Sequence, residues 1–162
     1  MHQQAQEFLS KLFNLIKENS VQIHDWKIDH ICYRTSSESH YQEMKKTFET
    51  YGELLIESDV NGRMISTYKL FKPILFQHYS IPLVEVPAPK MGKTTIAGFE
   101  HAEFVANISF EEIEKQNTHL SFDKKGTLKT INPELAVSLG DLAIKFHHQS
   151  LEQVIEIEKN HL

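Results

Sequence analysis

Apolar residues recur at three- and four-residue spacing over residues 3–19, which predicts an amphipathic helix that covers a core. Its apolar positions are Phe8, Leu12, Leu15 and Ile16. The same spacing near the other end of the chain predicts a closing helix from Leu151 through Val154 and Ile155. Both helices are interpreted as packing elements, and we assign them no chemistry.

The first half of the chain predicts a strand, a helix and three further strands. Short runs rich in apolar and β-branched residues indicate the strands, with expected bounds 27–34, 53–58, 63–70 and 81–86. The Ser36-Ser37 pair provides an N-cap for the helix, which is expected to end before Gly52. Asn61-Gly62 suits a two-residue type I′ turn, so the second and third strands are expected to pair, whereas residues 72–80 are expected to form a connection.

The same order of elements then restarts. The strands expected in the second half are 99–106, 126–131, 135–139 and 142–147. Ser109 caps a helical stretch towards His119, and a Gly140-Asp141 turn joins the last two strands. Two βαβββ modules in one chain predict an α+β fold in which the modules close around a shared groove. We expect function to reside in that groove, because ligand sites favour such concave surfaces.

Length and charge narrow the class of protein. A chain of 162 residues is expected to form one domain, 1–162, with the first module at 20–90 and the second at 96–149. Seventeen basic and 22 acidic residues give a net charge of -5, which argues against nucleic acid as a partner. Cys32 is the only cysteine, so no intrachain disulfide can form and a reducing compartment is favoured.

Targeting signals are not evident in the sequence. The N-terminus has no basic start followed by an apolar run, and no stretch approaches the roughly 20 apolar residues that a membrane span requires. We therefore expect a cytoplasmic protein that does not insert into a membrane.

A histidine lies in the first predicted strand of each half. Because side chains alternate faces along a strand, each histidine lies opposite the apolar residues that meet the helices and shares its face with other polar residues. The residues on these polar faces are His30, Cys32 and Arg34 in the first half and His101 and Glu103 in the second. Each half therefore contributes a histidine to the groove.

Glu85 is flanked by valines inside an otherwise apolar strand, where an unpaired charge would be costly to bury. His30, Glu85 and His101 would together form a facial triad with open coordination positions, which suits iron(II) and tolerates manganese, cobalt or zinc. The last predicted strand adds Lys145 and His147 on one face, and neither is a carboxylate.

Simpler interpretations of the same residues remain open. A strand histidine is often a hydrogen-bonded core or surface residue. Glu85 would then be an edge-strand carboxylate or the ion-pair partner of Lys145, and Arg34 a surface cation. Cys32 is most simply a small buried apolar residue.

Several blocks of the sequence resemble the YecM family in consecutive order. These blocks are 29–35, 52–55, 61–63, 83–87, 98–103 and 145–147. The YecM family in turn resembles a branch of the vicinal-oxygen-chelate superfamily, which includes glyoxalase I, extradiol dioxygenases and epimerases. This resemblance implies two tandem βαβββ modules in a cupped mixed sheet with helices on its convex face, plus N- and C-terminal helices.

The resemblance also implies a divalent metal ion at the floor of the cup. Ligands in the superfamily come from the first and last strands of each module, which implies His30 and Glu85 in the first module and His101 in the second. The fourth position falls near Lys145 or His147, where the usual carboxylate is missing. Either three protein ligands remain, which we prefer, or His147 substitutes, or Lys145 abolishes the fourth position. The ion would be iron, manganese, zinc, cobalt or nickel.

Further roles follow from the resemblance. Arg34 and Lys145 would bind a substrate carboxylate or enolate oxygen, and Glu103 would be a general base at the rim of the cup. The implied function is a metal-dependent isomerase, lyase or dioxygenase acting on a small oxygen-rich organic acid or carbonyl compound. The alternative is a non-catalytic module that binds a small ligand or regulates a partner. Either a monomer or a homodimer is expected, since both modules lie in one chain.

Overall fold

The computed structural model describes residues 1–160, with the side chains of all except 158 and 160. Four α-helices, a short 3-10 helix and eight strands lie in this part of the chain. In chain order the helices and strands are α1 His2–Glu18, β1 Lys27–Arg34, α2 Glu38–Glu49, β2 Gly52–Asp59, β3 Met64–Phe76, β4 Tyr79–Pro87, β5 Gly98–Val105, α3 Phe110–Gln116, β6 Phe122–Asp123, β7 Leu135–Leu139, β8 Leu142–His147 and α4 Leu151–Asn160. Within residues 1–160, no helix combines the length and apolar character needed to cross a bilayer.

The eight strands form one mixed sheet in the order β2-β3-β4-β1-β5-β8-β7-β6. β1 pairs in parallel with β4, and β5 pairs in parallel with β8, while β1 and β5 lie antiparallel at the centre. The order β1-β4-β3-β2 on one side of the centre is thus repeated as β5-β8-β7-β6 on the other. The predicted α+β architecture of two βαβββ modules is confirmed.

One face of the sheet packs against α1 and α2. Phe8 of α1 stacks on Phe99 of β5 with 5.6 Å between ring centroids, and Phe48 of α2 stacks on Tyr68 of β3 at 5.8 Å. Burying one such large apolar side chain contributes about 1.5–3 kcal/mol. This apolar layer fixes which face of the sheet packs on the helices and leaves the other face to the polar residues.

The C-terminal helix α4 lies on the other, polar face. Lys69 of β3 pairs across the sheet with Leu83 of β4, and Leu83 pairs with His30 of β1, so all three share one face. Nζ of Lys69 lies 2.6 Å from Oε1 of Glu152 in α4. The two predicted terminal helices therefore pack on different faces, and α4 borders the histidine-bearing surface.

Local capping and turn signals are confirmed. Oγ of Ser37 accepts a hydrogen bond from the His40 N–H at 3.1 Å and so caps α2. Ser109 caps α3 in the same way. Asn61 and Gly62 have φ angles of 55° and 81°, the two positive values that a type I′ turn requires.

The predicted connection at residues 72–80 is wrong, because β3 continues to Phe76 and a two-residue turn leads directly into β4. The register of this pair shifts before Ile74, and Pro73 lies within the irregular stretch. A bulge tolerates proline because its residue does not have to donate a hydrogen bond to the ladder. Proline therefore interrupts the pairing without ending the strand.

The predicted strand at residues 126–131 is also wrong, because residues 125–128 form the 3-10 helix. The Gly126 carbonyl accepts hydrogen bonds from the N–H groups of Lys129 and Glu134, at 3.2 and 3.1 Å. These contacts use the backbone groups that a strand would need. A Cβ at position 126 would lie 2.4 Å from Cγ of Glu134, so this close approach requires glycine.

Candidate metal centre

Two acidic residues occupy matching irregularities in the central strand pair. Asp29 is one extra residue in β1, and Glu100 is one extra residue in β5, because the register shifts at each position. A bulge of this kind re-aims the side chains beside it. Oδ2 of Asp29 accepts a hydrogen bond from Nδ1 of His30 at 2.9 Å, and Oε2 of Glu100 accepts one from Nδ1 of His101 at 2.5 Å. In each half, the acidic residue therefore orients the imidazole of the histidine that follows it.

These contacts set the chemistry of both imidazoles. In a neutral imidazole, a carboxylate bound to Nδ1 keeps the proton on that nitrogen and leaves the lone pair on Nε2, where a metal ion can replace a second proton. Nε2 of His30 is buried and has no hydrogen-bond partner. A buried polar atom without a hydrogen-bond partner requires an explanation, such as a bound proton, water or ion. The His30 side chain therefore presents a buried, unpartnered Nε2 to the polar face of the sheet.

Glu103 lies at the centre of the polar face and is 3% exposed. Its Oε1 is 3.0 Å from Nζ of Lys145, 3.1 Å from Nε2 of His101 and 3.4 Å from Nε2 of His30. Burial by itself would raise the pKa of Glu103, but the charge of Lys145, followed by that of His30, holds it well below the ordinary value. The carboxylate is therefore ionised. It lies at the floor of the cup, whereas the sequence predicts a position at the rim.

The electrostatic field at this floor favours a cation beside His30. Burial alone would lower the pKa of His30, but Glu103, Glu85 and Asp29 together raise it well above the ordinary value. The carboxylates that attract a proton to the imidazole would equally attract a metal ion. The site is thus built to hold positive charge.

Glu85 contributes a second carboxylate from β4. Its Oε2 lies 3.7 Å from Nε2 of His30, and its side chain is 18% exposed, so it borders the open part of the cup. Among the described residues, three sets bring their ligand atoms within 4.8 Å of one another: His30, Glu85 and Glu103; Cys32, Glu85 and His101; and Asp29, His30 and His147. The first two sets share Glu85, but His30 and His101 fall in different sets, so among the described residues no set contains the predicted triad of His30, Glu85 and His101.

His147 lies on the far side of Glu103. Its Nε2 is 3.8 Å from both Oε2 of Glu103 and Oδ2 of Asp29, and it is buried without a hydrogen-bond partner. Nδ1 of His147 contacts the carbonyl of Gln149. Burial is the main reason why the pKa of His147 is lowered. His147 therefore shares a ligand set with Asp29 and His30, and with neither Glu85 nor His101 among the described residues.

Lys145 pairs with two carboxylates and not with Glu85. Nζ lies 3.0 Å from Oε1 of Glu103 and 3.3 Å from Oε1 of Glu134. Burial would lower the pKa of Lys145, but Glu103 and Glu134 raise it, so the group is an ammonium ion. In the parallel pairs of the two halves, Lys145 lies beside Glu103 as Glu85 lies beside Cys32. The lysine therefore occupies in the second half the position that Glu85 holds in the first.

Arg34 lies at the rim. Its guanidinium is 3.1 Å from Oε1 of Glu100, and its side chain is 41% exposed. Glu100 thus joins the rim to the floor, because one oxygen contacts Arg34 and the other contacts His101. This position makes Arg34 available to a ligand entering the cup.

Sequence reasoning missed the residues that orient the histidines. No role is assigned from the sequence to Asp29 or Glu100, nor to Glu134, which pairs with Lys145. A signal was present, because Asp29-His30 and Glu100-His101 repeat an acidic residue followed by histidine at the same place in each half. The orienting role depends on a bulge, which alternation along a strand does not predict.

The fold corresponds to a known structural class. A variant of methylmalonyl-CoA epimerase from Streptomyces coelicolor, solved in complex with 2-nitronate-propionyl-CoA, matches with a TM-score of 0.52 at 9% sequence identity. The match covers 75% of this chain and 93% of the epimerase chain. The protein described here has the vicinal-oxygen-chelate fold.

The chain belongs to the YecM family. The family described as YecM protein matches residues 1–131. Protein YecM of Escherichia coli (strain K12) is 30% identical over 168 residues, which cover 94% of this chain and 89% of that protein. A solved protein described as Structural Genomics, Protein EC4020 matches with a TM-score of 0.79 and 29% identity, covering 94% of this chain and 87% of the other.

Proposed function

We propose that this protein is a divalent-metal-dependent enzyme of the vicinal-oxygen-chelate type that acts on a small oxygen-rich organic acid or carbonyl compound. The observation that carries the proposal is the buried Nε2 of His30, which has no hydrogen-bond partner and faces two carboxylates. The ion would be iron, manganese, zinc, cobalt or nickel, with His30, Glu85, His101 and Glu103 as its ligands.

The distances from Glu103 to both histidines and from Glu85 to His30 suit one bound ion, whereas in the part of the chain that the structure describes His30 and His101 share no set of ligand atoms within 4.8 Å of one another. Atoms bound to a divalent metal at about 2.1 Å lie roughly 3 Å from one another. Oε1 of Glu103 is 3.1 Å from Nε2 of His101 and 3.4 Å from Nε2 of His30, and Oε2 of Glu85 is 3.7 Å from Nε2 of His30. Two imidazoles and two carboxylates are also a donor set that such metals accept. A shared ion would therefore require the imidazoles of His30 and His101 to move closer to each other.

The chain's own residues would divide the remaining work. A bound ion would polarise the substrate oxygens that it contacts. Asp29 and Glu100 would keep Nε2 of each histidine turned inward, which preserves the ligand geometry. Glu103 is a weak base because its pKa is low, so we assign it to metal binding in place of proton transfer.

Lys145 and Arg34 would bind the substrate. The Lys145 ammonium lies 3.0 Å from Glu103, so it borders the oxygen positions next to the proposed ion. A fixed cation there stabilises an oxyanion that develops from a carbonyl group. This favours isomerase or lyase chemistry over dioxygenase chemistry. Arg34 at the rim would hold a substrate anion.

A metal-free binding module is the second candidate. The ion pair between Lys145 and Glu103 supports it, because the lysine already neutralises a carboxylate at the cup floor and stands where a fourth ligand is expected. In that case the cup would hold a small anionic molecule without transforming it.

Metal analysis of untagged protein distinguishes the two candidates. Metal-free protein would be titrated with Co²⁺, Mn²⁺ and Zn²⁺, with Co²⁺ binding followed by visible absorption. We expect one ion per chain, lost in His30→Ala and retained in His78→Ala, an exposed histidine on the β3–β4 turn. Failure of the parent protein to bind any of these ions, or equal binding by His30→Ala, would contradict the enzyme proposal and favour the binding module.

A further inference from the structure

A cavity of about 210 Å³ lies at the end of the cup where β1 and β4 finish. Its lining includes the polar residues Arg34, Thr35, Arg63, Lys90, Lys93 and Thr94. Four cations from three separate segments therefore converge on one small space. We refer to it as the basic pocket.

The positive charge of the basic pocket is largely unneutralised. Arg34 is paired with Glu100, but no described carboxylate lies within 4.0 Å of the charged groups of Arg63, Lys90 or Lys93. The charge of Arg63, with smaller effects of burial and of neighbouring cations, lowers the pKa of Lys90. The chain as a whole carries a net charge of -5, so this concentration of cations runs against its general composition. Repelling cations of this kind are stabilised when an anion binds between them.

The basic pocket is close to the proposed metal centre. Cys32 pairs with Glu85 in the parallel register of β1 and β4, and Arg34 and Pro87 follow two residues later on the same strands. Two residues along a strand span about 6.6 Å. Because alternate residues share a face, Arg34 projects from the same face as Cys32. A molecule of a few carbon atoms can therefore reach both places at once.

The charge in the pocket selects the ligand. A ligand with a single carboxylate would neutralise only one of the three cations that have no carboxylate partner. A phosphate group carries about two negative charges at neutral pH, and its oxygens accept several hydrogen bonds. Thr94 adds a hydroxyl donor from the loop between β4 and β5. We propose that the basic pocket binds the phosphate group of a small phosphorylated substrate whose oxygen-bearing end reaches the floor of the cup. The claim that the substrate reaches the floor of the cup rests on the proposed function, whereas phosphate binding itself does not require a metal.

The first test is a titration of metal-free protein with inorganic phosphate at constant ionic strength, followed by amide NMR shifts of Thr94 and Thr95. We expect saturable binding that weakens by about tenfold or more in Arg63→Gln and in Lys93→Gln. Lys46→Gln, an exposed lysine on α2, makes the same change of charge elsewhere and should leave binding unchanged. Acetate at equal ionic strength should bind more weakly than phosphate.

Three results would overturn the pocket assignment: no saturable shifts with phosphate, an equal loss in Lys46→Gln, or acetate binding as tightly as phosphate. Well-dispersed spectra of both pocket variants would exclude unfolding as the cause of a loss. Since His30→Ala should keep phosphate binding, failure of the metal proposal would leave this result intact.

The second test addresses the connection with the cup, using phosphoglycolate, which carries a phosphate at one end and a carboxylate at the other. In metal-loaded protein it should bind about tenfold or more tightly than inorganic phosphate, because both ends are held at once. In His30→Ala its affinity should fall to that of inorganic phosphate. Equal affinities for the two probes in metal-loaded protein would show that the pocket and the cup do not share one ligand.

Discussion

Asp29 and Glu100 hold equivalent places in the two halves of the sheet, each in a bulge immediately before a histidine whose Nδ1 it binds. Asp29 has a further contact, since its Oδ2 also accepts a hydrogen bond from the N–H of Leu151, the first residue of α4. Glu100 instead contacts Arg34 at the rim. The two acids thus orient the histidines equally but tie them to different parts of the molecule.

Removing the charge of Glu100 should weaken metal binding without removing a ligand. In Glu100→Gln the imidazole of His101 loses the carboxylate that fixes its tautomer, so we expect metal affinity to fall by about 10- to 100-fold. Calorimetric titration with Zn²⁺ measures the change. Glu49→Gln, an exposed residue on α2, is the control for loss of one negative charge. Unchanged affinity in Glu100→Gln would contradict the orienting role.

Replacing Lys145 should have opposite effects on metal binding and on stability. Lys145→Met removes a cation 3.0 Å from Glu103, so metal affinity should rise by about tenfold. The metal-free protein should lose about 2 kcal/mol of stability, because the buried Glu103 carboxylate loses its main partner. Urea unfolding with and without Co²⁺ measures both effects. A fall in metal affinity would indicate that Lys145 supports the metal site.

Substitutions in the apolar layer beneath the site should change the stability of the protein independently of metal binding. Phe48 is fully buried against Tyr68, and Phe48→Ala should cost about 3–5 kcal/mol in the free energy of unfolding. Phe71, 70% exposed, should tolerate alanine with little change. Urea unfolding of the two variants provides the comparison. A loss of similar size in both would mean that Phe48 packing does not stabilise the first half as argued.

Acid stability should depend on an ion pair remote from the site. The hydrogen bond from Lys45, at 2.6 Å, is the main reason why the pKa of Glu57 lies below its ordinary value of 4.5. A lowered folded-state pKa stabilises the protein above the unfolded-state value, and this contribution is lost as pH falls through the folded-state pKa. Glu57→Gln should therefore show a shallower loss of stability between about pH 5 and pH 3.

Chemical unfolding at a series of pH values measures this slope. Glu53→Gln, at an exposed position on the same strand, controls for the loss of a carboxylate. A slope in Glu57→Gln equal to that of the parent protein would show that Glu57 contributes nothing to the acid dependence.

The sequence by itself determined the features that depend on near neighbours in the chain. Strand alternation correctly put His30 and Cys32 opposite Ile31, and the Asn61-Gly62 pair specified its turn, because side-chain direction and turn conformation are local properties of the backbone. The same local rule put Glu103 on the polar face. The βαβββ repeat was predictable for this reason.

Only the tertiary structure decided which of these residues meet. The bulges at Asp29 and Glu100 and the register that sets Lys145 beside Glu103 arise from pairing between strands far apart in the chain, whose free energy a local pattern does not contain. The 3-10 helix at Gly126 likewise depends on Glu134, with which it makes a close contact. A side chain's face follows from its strand, but its partners follow from the assembled sheet.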